Sequence, residues 1–222
     1  VRVMSSKEAM LGRIRSALTD VTPMAPADDV AVDWTYGQRP PGASDDMLGL
    51  FVERVEDYKA VVSWVVPDEV PVRIANALAD HEVTSAVIPA GAPAAWHEAV
   101  AAAGIAVVTD DPVLTHAELD ATGGVVTASR VGIAETGTIV LDHAADQGRR
   151  ALSLVPDVHV CVIGSDQVVS DVPEAVVRLQ TSIDERLPLT WISGPSATSD
   201  IELSRVEGVH GPRILHVLLV NV

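Results

Sequence analysis

Short apolar segments alternate with helical patterns between residues 61 and 108, and this alternation constrains the fold more than any other feature of the sequence. The predicted strands are residues 61–66, 86–88 and 105–108, the first of them buried, and the predicted helices are residues 71–78 and 93–103. A proline opens each helix, and Gly104 follows the second. Strands that are separated by helices pair in parallel, with the helices packed on the sheet. The sequence therefore predicts an α/β fold, a doubly wound, mostly parallel sheet with helices on both faces.

The pattern changes after residue 120, where two strands follow each other without a helix between them. Residues 123–127 and 138–141 have strand patterns and flank a turn region at residues 129–132. The remaining predicted strands are residues 158–163, 189–193 and 214–220, and the remaining helix is residues 173–179. Ligands of open α/β sheets usually bind beyond the carboxyl ends of strands, so the polar segments that follow these strands are the candidates for a functional site.

The N-terminal part of the chain is organised differently. Ser5 and Glu8 form a capping-box pattern, and the apolar residues that follow at helical spacing predict a short amphipathic helix. Residues 19–45 are rich in proline and predict a loop, and residues 46–58 predict a second amphipathic helix. We therefore divide the chain into residues 1–45, a helix with a Pro-rich loop, and residues 46–222, the α/β domain.

The charge of the chain limits its partners. The formal net charge is −16, which repels polyanions, so neither nucleic acid nor an anionic membrane surface is an expected partner. The longest apolar run, residues 99–108, is shorter than the ~20 residues that cross a bilayer. The polar N-terminus has no apolar signal region. We expect a cytoplasmic protein without membrane insertion.

Cys161 is the only cysteine, and its Val-rich surroundings predict a small buried hydrophobic residue. One cysteine cannot build a disulfide, a Cys-type zinc site or an iron–sulfur cluster within the chain. The histidines show no metal-binding spacing, and Walker and Rossmann glycine patterns are absent. The sequence predicts neither a metal site nor a cofactor on this chain.

Residues 133–138, Ile-Ala-Glu-Thr-Gly-Thr, place a carboxylate within an apolar stretch. An enclosed Glu135 either pairs with a cation or has its pKa raised by desolvation, and such a group serves as a catalytic base, a nucleophile or a ligand-holding carboxylate. Gly137 permits a positive φ or a close backbone approach, and Thr136 and Thr138 add hydroxyl groups that bind a substrate. The alternative is a structural turn held by hydrogen bonds from backbone amides to Glu135.

Residues 193–202 follow a predicted strand and begin a predicted helix. A turn at Gly194 leads into Ser196, Thr198 and Asp200, and hydroxyl and backbone N–H groups at the start of a helix bind phosphate or carboxylate. The alternative is an ordinary helix N-cap formed by one of these polar residues.

Residues 208–213, Gly-Val-His-Gly-Pro-Arg, form a stiff turn before the last strand. His210 is a candidate for proton transfer, and Arg213 a candidate for holding a carboxylate or phosphate through two hydrogen bonds. The alternative is a rigid turn in which Arg213 pairs with a surface acid. Arg149 is a further candidate for binding an anion, with a structural ion pair as its alternative.

Taken in this order, the three segments resemble the LUD-domain family and, within it, the lactate-utilisation members. Arg149, the Leu-Val-Pro segment at residues 154–156 and the strand at His159 fit the same pattern. The resemblance covers about residues 46–222, and it implies a fold similar to that of sugar-phosphate isomerases and CoA transferases.

The resemblance also implies a function. Lactate-utilisation members of the family act with two proteins that carry iron–sulfur clusters, and the set is thought to oxidise L-lactate to pyruvate. This chain would then be the cluster-free subunit, with iron–sulfur proteins as partners and a small carboxylate or phosphate as ligand. Two alternatives stay open. One is a free-standing enzyme of the CoA-transferase or isomerase kind that uses Glu135, and the other is a binding or regulatory module for small anions.

Overall fold

The computed structural model describes residues 6–20, 46–198, 206–207 and 211–222. The chain divides into two compact units, residues 1–35 and 36–222. In the first unit, helix α1 (Ser6–Ala17) confirms the helix predicted after Ser5. The predicted division at residue 45 and the Pro-rich loop before it fall on residues that the structure does not describe. Within the described part of the chain, no helix has both the length and the apolar character needed to cross a membrane.

The second unit contains the remaining helices and all the strands that the structure describes. Its helices are α2 (Met47–Asp57), α3 (Val70–Asp80), α4 (Ala94–Ala102), α5 (His116–Asp120), α6 (Val172–Arg178) and α7 (Gln180–Asp184). Its strands are β1 (Val61–Val65), β2 (Ser85–Val87), β3 (Ala106–Val108), β4 (Gly124–Thr127), β5 (Val131–Ile133), β6 (Thr138–Leu141), β7 (Val158–Gly164), β8 (Val168–Val169), β9 (Thr190–Ile192), β10 (Ala197–Thr198), β11 (Val206–Glu207) and β12 (Ile214–Val220).

The larger sheet confirms the predicted fold class. Six strands pair in the order β1-β12-β7-β4-β2-β3, and every pairing is parallel. The central strands β7 and β12 are buried on both faces, which is why Val, Ile and Leu predominate in them. Helices α3 and α4 cover one face. Helix α2 and strand β6 of the second sheet cover the other.

Strand β1 corrects one prediction, because it is an edge strand rather than a buried one. It pairs only with β12, and Val61 and Trp64 remain 43% and 51% exposed. The apolar run alone does not show whether a second neighbour will cover the strand.

A second sheet, in the order β8-β5-β6-β9, contains the strands predicted at residues 138–141 and 189–193, whereas the sequence predicted neither β5 nor β8. The turn prediction at residues 129–132 is wrong, since Val131–Ile133 form β5 and pair with β6 in antiparallel fashion. Gly132 at the centre of β5 weakens the strand pattern in the sequence. A side chain there would meet Ile163 of β7 at 2.7 Å, so the glycine lets the two sheets pack closely.

Candidate functional site

A cavity of about 260 Å³ lies between β9 of the smaller sheet and β7 and β12 of the larger one. Its lining consists of Ser153, Leu154, His159, Thr190, Trp191, Ile192, Ser193, Gly194, Pro195, Ser196, Gly211, Pro212 and Leu215. His159 and Leu215 are each the second residue of their strand. The cavity therefore lies at the amino ends of the central parallel strands and at the carboxyl end of β9. The expectation that a ligand site lies at the carboxyl ends of strands is therefore met only by β9 of the smaller sheet.

His159 is the most deeply buried polar group of this cavity, with an exposure of 1%. Its Nε2 lies 2.8 Å from Thr127 Oγ1 on the neighbouring strand β4. Burial away from water lowers the pKa of His159 to about 4, because desolvation disfavours the charged form. The imidazole is therefore neutral near pH 7.

Thr190 brings a second, oriented hydroxyl group to the lining. Its Oγ1 lies 2.8 Å from Nε2 of His143, whose Nδ1 lies 2.8 Å from the carbonyl oxygen of Gly148. A carbonyl oxygen only accepts, so Nδ1 carries the hydrogen and, in the neutral imidazole, Nε2 accepts from Thr190. This leaves the lone pairs of Thr190 Oγ1 available to accept a hydrogen bond from a ligand.

The loop that supplies His143 is held in place by a buried polar cluster. The amide Oε1 of Gln147 accepts from the backbone N–H of Asp142 at 2.8 Å, and Gln147 Nε2 donates to Asp142 Oδ1 at 2.9 Å. Ser182 Oγ donates to Asp142 Oδ2 at 2.7 Å. Buried side chains whose hydrogen bonds are satisfied in this way fix one geometry, so His143 and Thr190 have a defined position at the cavity.

A chain of hydroxyl groups joins the first predicted segment to the rim of the cavity. Thr136 Oγ1 donates to Thr138 Oγ1 at 2.8 Å, and Thr138 Oγ1 lies 2.8 Å from Ser193 Oγ. Ser193 immediately precedes Gly194 and contributes to the lining. The structure therefore brings the segments at residues 133–138 and 193–196 together.

Glu135 lies on the turn between β5 and β6, outside the lining of the cavity, and its side chain is exposed. The enclosure suggested by its apolar neighbours applies to Ala134 and not to Glu135 itself, because the turn carries the carboxylate outward. Gly137 has φ +59°, and a side chain there would lie 2.6 Å from the backbone of Arg54 in α2. Both features predicted for Gly137, the positive φ and the close approach, are present.

The second and third predicted segments also meet. The backbone N–H of Ser196 donates to the carbonyl oxygen of Pro212 at 2.8 Å, and Gly194 has φ +81°. The predicted helix does not begin at Ser196, since Ala197–Thr198 pair with Val206–Glu207 as antiparallel strands. The argument from a helix N-terminus therefore does not apply to the described part of this segment, residues 193–198.

The two candidate arginines both make ion pairs. Arg213 Nη1 lies 3.6 Å from Asp157 Oδ2, and both side chains are 59% exposed. Arg149 donates from Nε and Nη2 to the two carboxylate oxygens of Asp110, at 2.6 and 3.1 Å, and from Nη2 to the Leu114 carbonyl oxygen at 2.7 Å. These hydrogen bonds to Arg149 are the main reason why the pKa of Asp110 is lowered. Neither arginine contributes to the cavity lining.

The candidates His210 and Asp200 lie outside the described residues, and Thr198 is described only as part of the β10 backbone. Within the described ranges, no three side chains of His, Cys, Asp or Glu come together to hold a metal ion. Cys161 is fully buried, and burial raises the pKa of its thiol to about 12.

Sequence analysis missed His159 and His143 as members of the site. His159 stands among valines and looks like a residue of an ordinary buried strand. The one local indication is that it is the only polar side chain between Val158 and Ile163 apart from the cysteine. His143 has no pattern of its own, because its role depends on the distant contact with Thr190.

Comparisons with known proteins agree on one family. The model of the LUD domain family matches residues 48–220, a span that includes every residue of the cavity lining. Lactate utilization protein C from Deinococcus radiodurans is 51% identical over 176 residues, which cover 79% of this chain and 80% of that protein.

More distant relatives and one solved structure complete the comparison. An uncharacterized protein from Neisseria meningitidis serogroup B is 27% identical over 233 residues, covering 98% of this chain and 94% of that protein. Lactate utilization protein C from Bacillus subtilis is 33% identical over 100 residues, covering 43% of this chain and 41% of that protein. A crystal structure of a DUF162 family protein from Deinococcus radiodurans superposes with a TM-score of 0.68 at 44% identity, covering 79% of this chain and 96% of that one.

Proposed function

The chain belongs to the LUD domain family, and from this premise we propose that it acts in lactate utilisation. In this proposal it is the cluster-free subunit of a system in which iron–sulfur partner proteins accept the electrons as L-lactate is oxidised to pyruvate. The observation that carries the proposal is the 51% identity to a protein named lactate utilization protein C over 79% of this chain.

The cysteine content of the chain supports the assignment of electron transfer to partner proteins. Oxidation of lactate to pyruvate releases two electrons and two protons, so an electron acceptor must be close by. Iron–sulfur clusters need several cysteine thiolates, and this sequence has only Cys161. That thiol is buried, and its pKa is raised to about 12. The electron-carrying groups of the proposed system therefore belong on partner proteins.

The cavity supports a role in handling a small polar acid. Its volume of about 260 Å³ is below the usual range for drug-sized ligands, which suits a molecule of three or four carbons. The hydroxyl-bearing residues Ser153, Thr190, Ser193 and Ser196 occur among apolar residues in its lining. A short hydroxy acid offers matching carboxylate and hydroxyl groups on an apolar carbon chain.

Glu135 has a separate part in this proposal. It lies on an exposed turn, connected to the rim of the cavity through the hydroxyl groups of Thr138 and Ser193. We propose that it acts in catalysis from the side that a partner protein can reach, whereas the cavity holds the acid. His210, Asp200 and Arg213 remain predicted site residues in addition to Glu135.

The proposal is tested by purifying the tagged chain from its own host under anaerobic conditions. We expect cysteine-rich proteins that contain iron and acid-labile sulfide to co-elute, and the mixture to reduce a dye in the presence of L-lactate. The same host with untagged chain is the control. The subunit proposal is wrong if the chain, freed from its partners, oxidises L-lactate with the dye by itself.

A further inference from the structure

His159 is a buried imidazole in the cavity lining to which neither sequence pattern nor family gives a role. Its exposure is 1%, and its Nε2 is taken by the hydroxyl group of Thr127 at 2.8 Å. Its Nδ1 has no hydrogen-bond partner among the residues that the structure describes. Nδ1 is not among the buried, unpartnered polar atoms of the described residues, so it keeps some accessible surface. A ligand in the cavity that His159 lines can therefore form a hydrogen bond with it.

The hydroxyl group of Thr127 allows Nδ1 to be the basic nitrogen. Thr127 Oγ1 lies 3.9 Å from Cys161 Sγ as well as 2.8 Å from His159 Nε2. When Thr127 gives its hydrogen to the sulfur, its oxygen accepts from Nε2–H, and Nδ1 keeps its lone pair. Nδ1 is then the nitrogen that takes up a proton on the side of the cavity.

The described surroundings of His159 supply no charge. On its own strand it faces Cys161, which stays a neutral thiol because burial raises its pKa to about 12. Strand β12 contributes Leu215, and β9 contributes Thr190 with the His143 imidazole behind it. Without an acid beside it, the imidazole remains neutral, and burial lowers its pKa to about 4.

The cavity has no other described group that can neutralise an anion. Neither lysine nor arginine contributes to its described lining, and a carboxylate transferred there without a cation carries a large desolvation penalty. His159 is the only described lining residue that can become a cation. A singly charged acid matches one imidazolium, whereas a phosphate dianion would leave one charge unpaired.

We propose that the cavity binds a small monocarboxylate, of the size of a 2-hydroxy acid, and that His159 takes up one proton from solvent as the ligand enters. The carboxylate then accepts a hydrogen bond from Nδ1–H of the imidazolium, and Nε2–H donates to Thr127. Thr190 Oγ1 accepts from the hydroxyl group of the acid. The inference rests on the proposed function only in the choice of L-lactate as the probe.

The proposal fixes the direction of the pH dependence. In the free protein burial lowers the pKa of His159 to about 4, so the imidazole is neutral near pH 7, and in the complex the carboxylate raises this pKa. Binding therefore takes up a proton, and affinity rises about tenfold for each unit by which the pH falls between the two pKa values. A site that held the acid through hydroxyl groups alone would show no such dependence in this range.

Titration calorimetry of the full chain with L-lactate tests this directly. Measured at one pH in two buffers of different ionisation enthalpy, the binding heat should report uptake of about one proton for each lactate. Lactamide, which has the same shape without the carboxylate, should bind without proton uptake, and inorganic phosphate should not compete. Lactate binding without proton uptake, or no lactate binding at all, would overturn the proposal.

Two variants and one spectrum separate His159 from other histidines. His159→Asn should lose the proton uptake and at least tenfold in affinity, whereas the exposed His116→Asn should behave like the unaltered chain. If His159→Asn still takes up a proton when lactate binds, the assignment of proton uptake to His159 is wrong. Should that variant not fold, ¹⁵N spectra of the unaltered chain decide, since lactate should convert one imidazole to imidazolium. Failure of these tests leaves the role in lactate utilisation standing, because that role is tested through the partner proteins.

Discussion

The close approach of the turn at Gly137 to helix α2 gives a prediction whose magnitude follows from the structure. An alanine Cβ at Gly137 would lie 2.6 Å from the carbonyl carbon and 2.8 Å from the carbonyl oxygen of Arg54. These are backbone atoms, so the contact cannot be relieved by a rotamer change. The residue also has φ +59°, a left-handed conformation that costs a residue with a Cβ about 1–2 kcal/mol.

Gly104 provides a matched control for the backbone part of this cost. It has φ +81°, and a Cβ there would meet nothing within 4 Å. Gly104→Ala therefore carries the left-handed penalty alone, and Gly137→Ala adds an overpacking penalty of about 1–3 kcal/mol. Changes in the unfolded chain are common to both substitutions and cancel in the difference.

Urea unfolding of both variants, followed by circular dichroism, measures the difference. We expect the free energy of unfolding of Gly137→Ala to be about 1–3 kcal/mol below that of Gly104→Ala. Equal destabilisation of the two variants would refute the packing argument and would leave close approach of a ligand as the reason for a glycine at residue 137.

Three further predictions concern an ion pair, the cysteine and the exposed turn. Asp110→Ala should lower the free energy of unfolding at neutral pH by about 1–3 kcal/mol, because Arg149 loses charged hydrogen-bond partners. The pKa of Asp110 is lowered in the folded protein, so this contribution to stability is present above the unfolded pKa of about 3.9 and is lost as the pH falls through the folded pKa. Urea titrations at several pH values should therefore show the unfolding free energies of the variant and the unaltered chain becoming equal in acid. Cys161 is buried with a raised pKa, so a thiol reagent should leave the native chain unlabelled and should label the chain fully in denaturant. Rapid labelling of Cys161 in the native chain would contradict its burial. Glu135→Gln should leave lactate affinity of the isolated chain within about twofold and lower the rate of the assembled system; an unchanged rate would remove Glu135 from catalysis.

The larger sheet was predictable because its pattern is local and repeated. The predicted strands at residues 61–66, 86–88 and 105–108 are apolar runs joined by two helical patterns, and a helical connection between strands permits parallel pairing. The edge position of β1 was not predictable in the same way. Trp64 is apolar and faces solvent, and the sequence contains no indication that only β12 would pair with this strand.

The smaller sheet shows where local patterns fail. β5 has three residues with a glycine at its centre, and β8 has only two residues. Strands this short exist because neighbouring strands and the larger sheet hold them, and propensity does not reveal such support. The predicted start of a helix after Gly194 is wrong for a related reason, since Ala197–Thr198 pair with the distant Val206–Glu207.

The three polar segments were recognisable in the sequence, whereas the histidines at the cavity were not. The three polar segments do converge, through the contacts of Thr138 with Ser193 and of Ser196 with Pro212. Arg149 instead pairs with Asp110, in line with the structural alternative considered for it. His159 and His143 are part of the site through contacts with residues that are 32 and 47 positions away along the chain. Spacing within a short segment of sequence does not indicate contacts between residues so far apart.

The central claim is that lactate oxidation needs this chain as a subunit beside iron–sulfur partners. The most direct measurement is L-lactate-dependent dye reduction in anaerobic extracts of a host strain that lacks the chain, with and without the purified chain added back. The account predicts that the extract alone is inactive, that the chain alone is inactive, and that the two together recover the parental rate. An extract that oxidises L-lactate at the parental rate without the chain would contradict it.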